Sequence, residues 1–406
     1  MQHEVRHGLT VTAAYVGRLG HHTLENLDVA EPNNLYDAGS NQTYFQAVTA
    51  FDKQIAAGVP VANIPKSGYF QNIFPNASFT SGGKTYTGAQ AYYASLVNDA
   101  PVGNETNTLY LFDVGVAGTS LSTASPKGPY QFFFPEYSSI YVDSSIGSSN
   151  YNALQISVRH SFKFGNEYDF NYTLSKSLDQ GSSPESSGTP NTSTTPNRII
   201  NAFSPNQMYA VSDFDVRHNI TGNYNLSLPV GKGQPFFGNP NSIMDRIISG
   251  WKINGTMHYN TGFPWSASDG GYYGTDFAST SYAVQIAPLA TGKRRLVGTG
   301  SAAYDTAFKS ATYAQAFASF RTAYPGETGQ RNELRYNGYL DFDDGLSKSF
   351  RTYRDQAFKL SVEVFNVMNN VVMSAPQTSI NNSKFGNYSA QQNQPRQFQF
   401  SGKYNF

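Results

Sequence analysis

The chain has 406 residues and a formal net charge of zero, so it carries no basic field to attract nucleic acid. Only 14% of its residues are charged, while Phe, Tyr and Trp reach 15%; few charges with many aromatics suit neither a disordered chain nor an ordinary soluble surface. Mean hydropathy is −0.44 and no run approaches the roughly 18 apolar residues of a membrane helix. With no cysteine there is neither a disulfide framework nor a thiolate metal site. The first residues, Met1 to Gly8, have no apolar h-region and are no signal peptide.

Side chains of a strand alternate between its faces, and reading for that period gives eight strands. The first, about 9–19, sets Leu9, Val11, Ala13 and Tyr15 against Thr10, Thr12, Ala14 and Arg18. The second, about 151–164, sets Leu154, Ile156, Val158, Phe162 and Phe164 against Gln155, Ser157, Arg159 and Ser161. The third, about 167–177, sets Tyr168, Phe170, Tyr172 and Leu174 against Asp169, Asn171, Thr173 and Ser175. The fourth, about 216–228, turns Ile220, Tyr224 and Leu226 away from Arg217, Asn219, Thr221 and Asn225. The fifth, about 250–261, alternates Trp251, Ile253, Met257 and Tyr259 with Lys252, Asn254, Thr256 and His258. The sixth, about 338–350, carries Leu340, Phe342, Leu346 and Phe350 against Asp341, Asp343, Ser347 and Ser349. The seventh, about 357–366, carries Phe358, Leu360, Val362 and Val364 against Lys359, Ser361 and Glu363. The eighth ends the chain, with Phe398, Phe400, Gly402, Tyr404 and Phe406 on one face and Gln397, Gln399, Ser401, Lys403 and Asn405 on the other.

Long and short connections alternate along the chain. Stretches at about 20–149, 178–213, 262–337 and 366–394 are long, and those between them short, the asymmetry of bacterial barrels with long extracellular loops and short periplasmic turns. The aromatics collect at the short-turn end: Phe162, Phe164, Tyr168, Trp251, Phe350, Tyr353, Phe358, Tyr404 and Phe406. Rings with polar tips gather at membrane interfaces, whereas a soluble core would scatter them along the strands. The expected fold is therefore all-β, an antiparallel transmembrane β-barrel in an outer membrane of the Gram-negative type. Eight strands can close a small barrel filled by its own side chains, and a barrel of 22 strands holds a plug and transports. An outer-membrane protein needs a secretion signal, so the chain is expected to be a fragment or an N-terminally truncated product.

A set of ordered motifs extends over nearly the whole chain: Thr12 to His22, Ser149 to Gln155, Phe214-Asp-Val-Arg-His218, Ser249-Gly-Trp251, Pro325 to Asn332, Leu340-Asp-Phe342, Leu346 to Phe350, Glu363 to Asn369, Phe385-Gly386 and the Pro395-Arg396 start of the last strand. In these the chain resembles the C-terminal barrel of TonB-dependent outer-membrane receptors of the Oar-like group. The resemblance implies about eight C-terminal strands of a 22-stranded barrel, a plug elsewhere, and uptake of a scarce nutrient energised through TonB. Outer-membrane lipid, lipopolysaccharide, the barrel assembly machinery and an unknown small ligand are the expected partners, with no nucleic acid. The alternative is a structural or adhesive outer-membrane barrel without transport.

No catalytic constellation stands out, and no enzyme activity, cofactor or metal is expected. His160, His218 and His258 sit on separate strands at mixed facings. The run Asp341 to Gly345 lacks the glycine position and the twelfth-place Glu of a calcium loop. The residues expected to face the lumen are Arg159, Asp169, Arg217, Asn219, Lys252, Asp341, Asp343 and Glu363. Aromatic loop residues Tyr69, Phe70, Tyr92, Tyr93, Tyr272 and Tyr273 are expected ligand contacts, since loops carry binding. Tyr404 and Phe406 form the aromatic-x-aromatic assembly signal. Helical spacing at Phe45, Val48, Phe51 and Ile55, and at Ala91, Tyr92, Ser95 and Leu96, predicts helices within the first long loop.

Overall fold

The computed structural model describes residues 2–6, 8–98, 105–115, 124–137, 139–162, 166–182, 199–269, 274–276, 279–352 and 356–406. Its main feature is an antiparallel sheet in which nine strands follow one another in chain order. They are β1 (Gln2–Arg6), β2 (Leu9–Asp28), β3 (Tyr141–Phe162), β4 (Asn166–Asp179), β5 (His218–Ser227), β6 (Trp251–Asn260), β7 (Tyr339–Arg351), β8 (Ala357–Phe365) and β9 (Gln397–Asn405). The eight expected strands are β2 to β9. The additional β1 pairs with β2 through Gln2↔Thr12 and Glu4↔Thr10. Among the described residues β1 and β9 are the sheet's edges and do not pair with each other.

Register settles which residues share a face, because antiparallel partners point the same way. One continuous apolar row set runs Val11↔Val158↔Phe170, Ala13↔Ile156↔Tyr172↔Ile220↔Tyr259↔Leu340 and Leu226↔Ile253↔Leu346↔Val362↔Phe400. The opposite face is polar, through Ser157↔Asn171↔Thr221↔His258↔Asp341 and Glu363↔Gln399. Every residue of β9 is exposed, with Phe400 at 74%. Among the described residues no apolar layer covers the apolar rows, so they need a nonaqueous solvent.

The hydrophobic cores lie in the long connections instead. The first, in the β2–β3 connection, gathers helices α1 (Tyr44–Ala56), α2 (Tyr69–Ile73), α3 (Ala89–Asn98) and α4 (Glu105–Asp113) around Val48, Phe70, Phe74, Tyr92 and Phe112. Both predicted helices are present as α1 and α3. Thr43 caps α1 with a capping box to Gln46. Asp113 at the end of α4 accepts from the backbone N–H groups of Gln131, Phe132 and Phe133, pinning the return to the wall. A second core joins the β6–β7 and β8–β9 connections through Trp265, Phe308, Phe320, Phe385 and Tyr388. Among the described residues no helix is long and apolar enough to cross a membrane.

The first loop begins later than the period suggested. β2 and β3 keep pairing from Gly20↔Ser149 out to Asp28↔Tyr141, 20 and 22 residues long where a membrane strand needs about 9–11. Past Gly20 the register slips at His21/Thr23 and Thr23/Glu25; Asn26 and Asp143 bond at 3.0 Å, while Leu27 and Val142 join a small loop core with Ile199 and Met208. Alternation is lost there, and the boundary near residue 20 marks the end of the apolar rows rather than of the strand.

The candidate functional site, a polar wall under latched loops

Seven of the eight expected lumenal residues lie on the polar face of the sheet, and Arg217 sits just before β5. Arg159 pairs with Asp169 at 2.9 Å, and Asp169 also accepts from Asn171. Asn219 Oδ1 accepts from His258 Nε2 at 3.2 Å. Lys252 sits between Ser227 and Ser347, Asp343 opposite Thr256, and Glu363 opposite Gln399. Asp341 accepts from the Tyr339 hydroxyl at 3.0 Å, and Asp343 from the Asn366 N–H at 2.8 Å. Arg217 is level with Ser175, whose N–H donates to the Arg217 carbonyl.

At the long-loop end a buried charge cluster fastens loops to wall. The Arg331 side chain is 1% exposed and donates to Asp179 at the end of β4, to Asp213 at 2.8 Å and to Ser182 at 3.0 Å. Asn332 donates to the Val211 carbonyl at 2.7 Å. Arg335 pairs with Asp215, which in turn accepts from the Ser177 N–H at 2.7 Å. Motif Pro325 to Asn332 thus meets the segment Val211 to Asp213 just before motif Phe214 to His218, and Arg335, three residues past the first motif, meets Asp215 inside the second. Such a latch is firm because a guanidinium presents several donors in a fixed fork, and a buried charge demands its partners. Sequence reading quoted both motifs but assigned these residues no role. The available signal was the close spacing of Arg331, Glu333 and Arg335.

Two cavities remain between the latched loop and the polar wall. One of about 310 Å³ is lined by Gln155, Thr173, Ser175 and Asn219 of the wall and Phe214 to Val216 of the loop. Its neighbour, about 440 Å³, shares Ser175 and Asp215 and adds Lys176, Arg217, Gln330, Glu333 and Arg335. Burial pushes the Glu333 carboxyl up to about 7, and its Oε1 has no hydrogen-bond partner. Cationic and carboxyl groups thus share one polar cavity, an arrangement that can hold a polar or charged solute.

The expected aromatic contacts need correction. Tyr69, Phe70, Tyr92 and Tyr93 are 2% exposed or less and cannot meet a ligand at the loop surface. Tyr92 stacks on Phe70 at 3.9 Å, and Tyr69 and Tyr93 donate to the carbonyls of Leu35 and Val59. A loop of this length needs its own core, and its aromatics supply it. Tyr272 and Tyr273 lie outside the described residues. Exposed rings in the long connections instead include Tyr36, Tyr137, Phe203 and Phe214.

At the short-turn rim, Phe350↔Phe358↔Tyr404 form one cross-strand row, and Phe162 packs near His160 and Tyr168. Phe164 and Tyr353 lie outside the described residues. Tyr404 donates to Gln356 at 2.8 Å, while Phe406 is 98% exposed.

A family model described as an outer membrane beta barrel domain matches residues 1–399. No curated protein matches the chain. Apolar rows, aromatic rim, alternating loop lengths and this match agree, and they place the protein in the outer membrane. The chain belongs to the outer membrane β-barrel domain family.

Proposed function

We propose that this wall is part of a TonB-dependent uptake receptor, a 22-stranded barrel of the Oar-like kind, admitting a scarce polar nutrient. The latched loop layer carries the reading: it folds around its own cores and leaves polar cavities above a polar wall. An uptake receptor needs such a vestibule, with cavities of the size that bury small ligands. The open edges β1 and β9 support a larger barrel, since unpaired backbone in hydrocarbon costs several kcal/mol per group. In this reading the chain is a conduit and no enzyme. TonB would act through a plug, the assembly machinery through the final strand, and lipopolysaccharide would surround the outer rim.

The test compares cells with and without the gene for depletion of mixed oligosaccharides, peptides and metal chelates from the medium. Mass spectrometry should find one solute class depleted only by expressing cells, and only while the inner membrane is energised. Unchanged uptake together with lost attachment to surfaces would replace transport by adhesion.

A further inference from the structure

The short connections all lie at one end of the sheet, yet the one between β5 and β6 spans 228–250 and carries a helix, α5 (Ser242–Ile248). Asn241 caps it by accepting from the Met244 N–H at 2.8 Å. At helical spacing, Ile243, Met244 and Ile247 share one side, while Ser242, Asp245 and Arg246 share the other. The apolar side is open: Ile243 is 75% exposed and Ile247 60%. The polar side is used, because Asp245 accepts from the Lys232 N–H at 2.8 Å and holds the preceding turn.

The wall side chains that hold α5 belong to the apolar rows. Trp251, two residues before Ile253, donates its indole N–H to the Ile247 carbonyl at 2.9 Å. Lys348, two residues after Leu346 and opposite Trp251, donates to the carbonyls of Arg246 and Ile247 at 2.5 and 2.9 Å. An ammonium at a helix C-terminus meets the negative end of its dipole, and here it satisfies carbonyls that the helix leaves open. Lys348 is 5% exposed and lies 5.6 Å from the Trp251 ring centre. The helix is therefore tied to the lipid side of the wall, away from the polar face that a plug would occupy, and its apolar side continues the belt that lipid covers.

We propose that α5 is an interfacial anchor, lying in the periplasmic leaflet of the outer membrane with Ile243, Met244 and Ile247 among phospholipid chains. An amphipathic helix of this kind sits about 5–10 Å into the headgroup boundary, with the indole of Trp251 at the same level. The length of this turn, beside its much shorter neighbours, is the room the helix needs.

The chain has no cysteine, so single cysteines at Met244 and at Arg246 can carry a nitroxide label without further substitution in this chain. Both positions are exposed, and neither change disturbs the wall. In isolated outer membranes, power-saturation EPR should show the Met244 label colliding with oxygen several-fold more than with a water-soluble nickel chelate. The Arg246 label should show the reverse preference. A Met244 label that meets the chelate as freely as Arg246 does would place the helix in water. One that meets neither relaxer would show a protein cover, a plug or periplasmic partner, and either result overturns the anchor.

Discussion

Asp344 stands in an apolar row, between Gly255 of β6 and Val364 of β8, and is the residue least expected there. Its carboxylate accepts from the Tyr224 hydroxyl. Gly255 leaves room for the pair, since a Cβ there would lie 2.5 Å from the Asp344 oxygen and 2.6 Å from the tyrosine oxygen. Removing one partner of a buried polar pair leaves the other unsatisfied, at about 1–3 kcal/mol. Tyr224→Phe should therefore destabilise the wall by that order, and adding Asp344→Leu should restore most of the loss. Urea unfolding in phospholipid vesicles measures both; a double variant no better than the single one would show that the pair is not coupled. On the same rows Ile253→Arg should cost up to about 2–4 kcal/mol near the midplane and Asn254→Arg little, measured by the same unfolding. Period-two reading found the rows through Leu340, Phe342 and Leu346. It passed over Asp344 and Lys348 on the same parity, because what makes those charges tolerable, Tyr224 of β5 and Arg246 of the helix α5, lies 120 and 102 residues away in the chain.

Among the elements, the loop layer depends on charge in two ways. The Arg331 latch joins the β6–β7 connection to β4 and to the segment before β5. Arg331→Met would leave Asp179 buried without its cation, a loss of about 3–5 kcal/mol, while Asp213, 39% exposed, would turn to water. Limited proteolysis of the protein in outer membranes should cut that loop faster than in the wild type; an unaltered cleavage rate would rule the latch out as a stabilising element. Burial also raises the carboxyls of Glu31 to about 9 and of Asp269 to about 8, as it does Glu333 to about 7. Raised folded-state values mean that the folded loops hold protons the unfolded chain releases near pH 4. Their contribution is complete below that pH and is lost as pH rises through 7 to 9. Hydrogen exchange of the loop amides should accelerate from pH 5 to 9 beyond its intrinsic rate, and flat protection factors would contradict it. Strands were legible in the sequence wherever one face meets lipid, and α1 and α3 wherever a helix buries one side. The latch was not, because Arg331 and Asp179 lie 152 residues apart and no local period links them. The buried Tyr92 and Phe70 show the other limit: an aromatic pattern records burial without saying whether ligand or loop covers it.

For the molecule as a whole, apolar burial is divided between lipid and loops. Among the described residues, side chains of the apolar rows such as Phe170, Leu346 and Phe400 stay open on the outer face, while the compact cores around Phe74 and Phe385 lie in the connections. The wall's stability therefore depends on entering the membrane, and the edge strand β9 bears on that step. In β9, Phe398, Phe400 and Tyr404 continue the apolar rows of β8, and the Phe350↔Phe358↔Tyr404 row meets the interface. Gly402 leaves space for the Phe358 ring, 3.2 Å from where a Cβ would stand. Phe406 has the same parity and is 98% exposed, so no packing inside the protein accounts for it. A charge there would sit where interfacial rings gather, whereas Asn405, opposite Ala357, belongs to the polar face. Phe406→Asp should cause a large loss of outer-membrane insertion with degradation in the periplasm, and Asn405→Asp only a mild one. Labelling a tag in the β2–β3 connection on intact cells measures the surface level of each. Wild-type levels for Phe406→Asp would mean that the terminal ring is dispensable for assembly, and that the rim row ending at Tyr404 suffices.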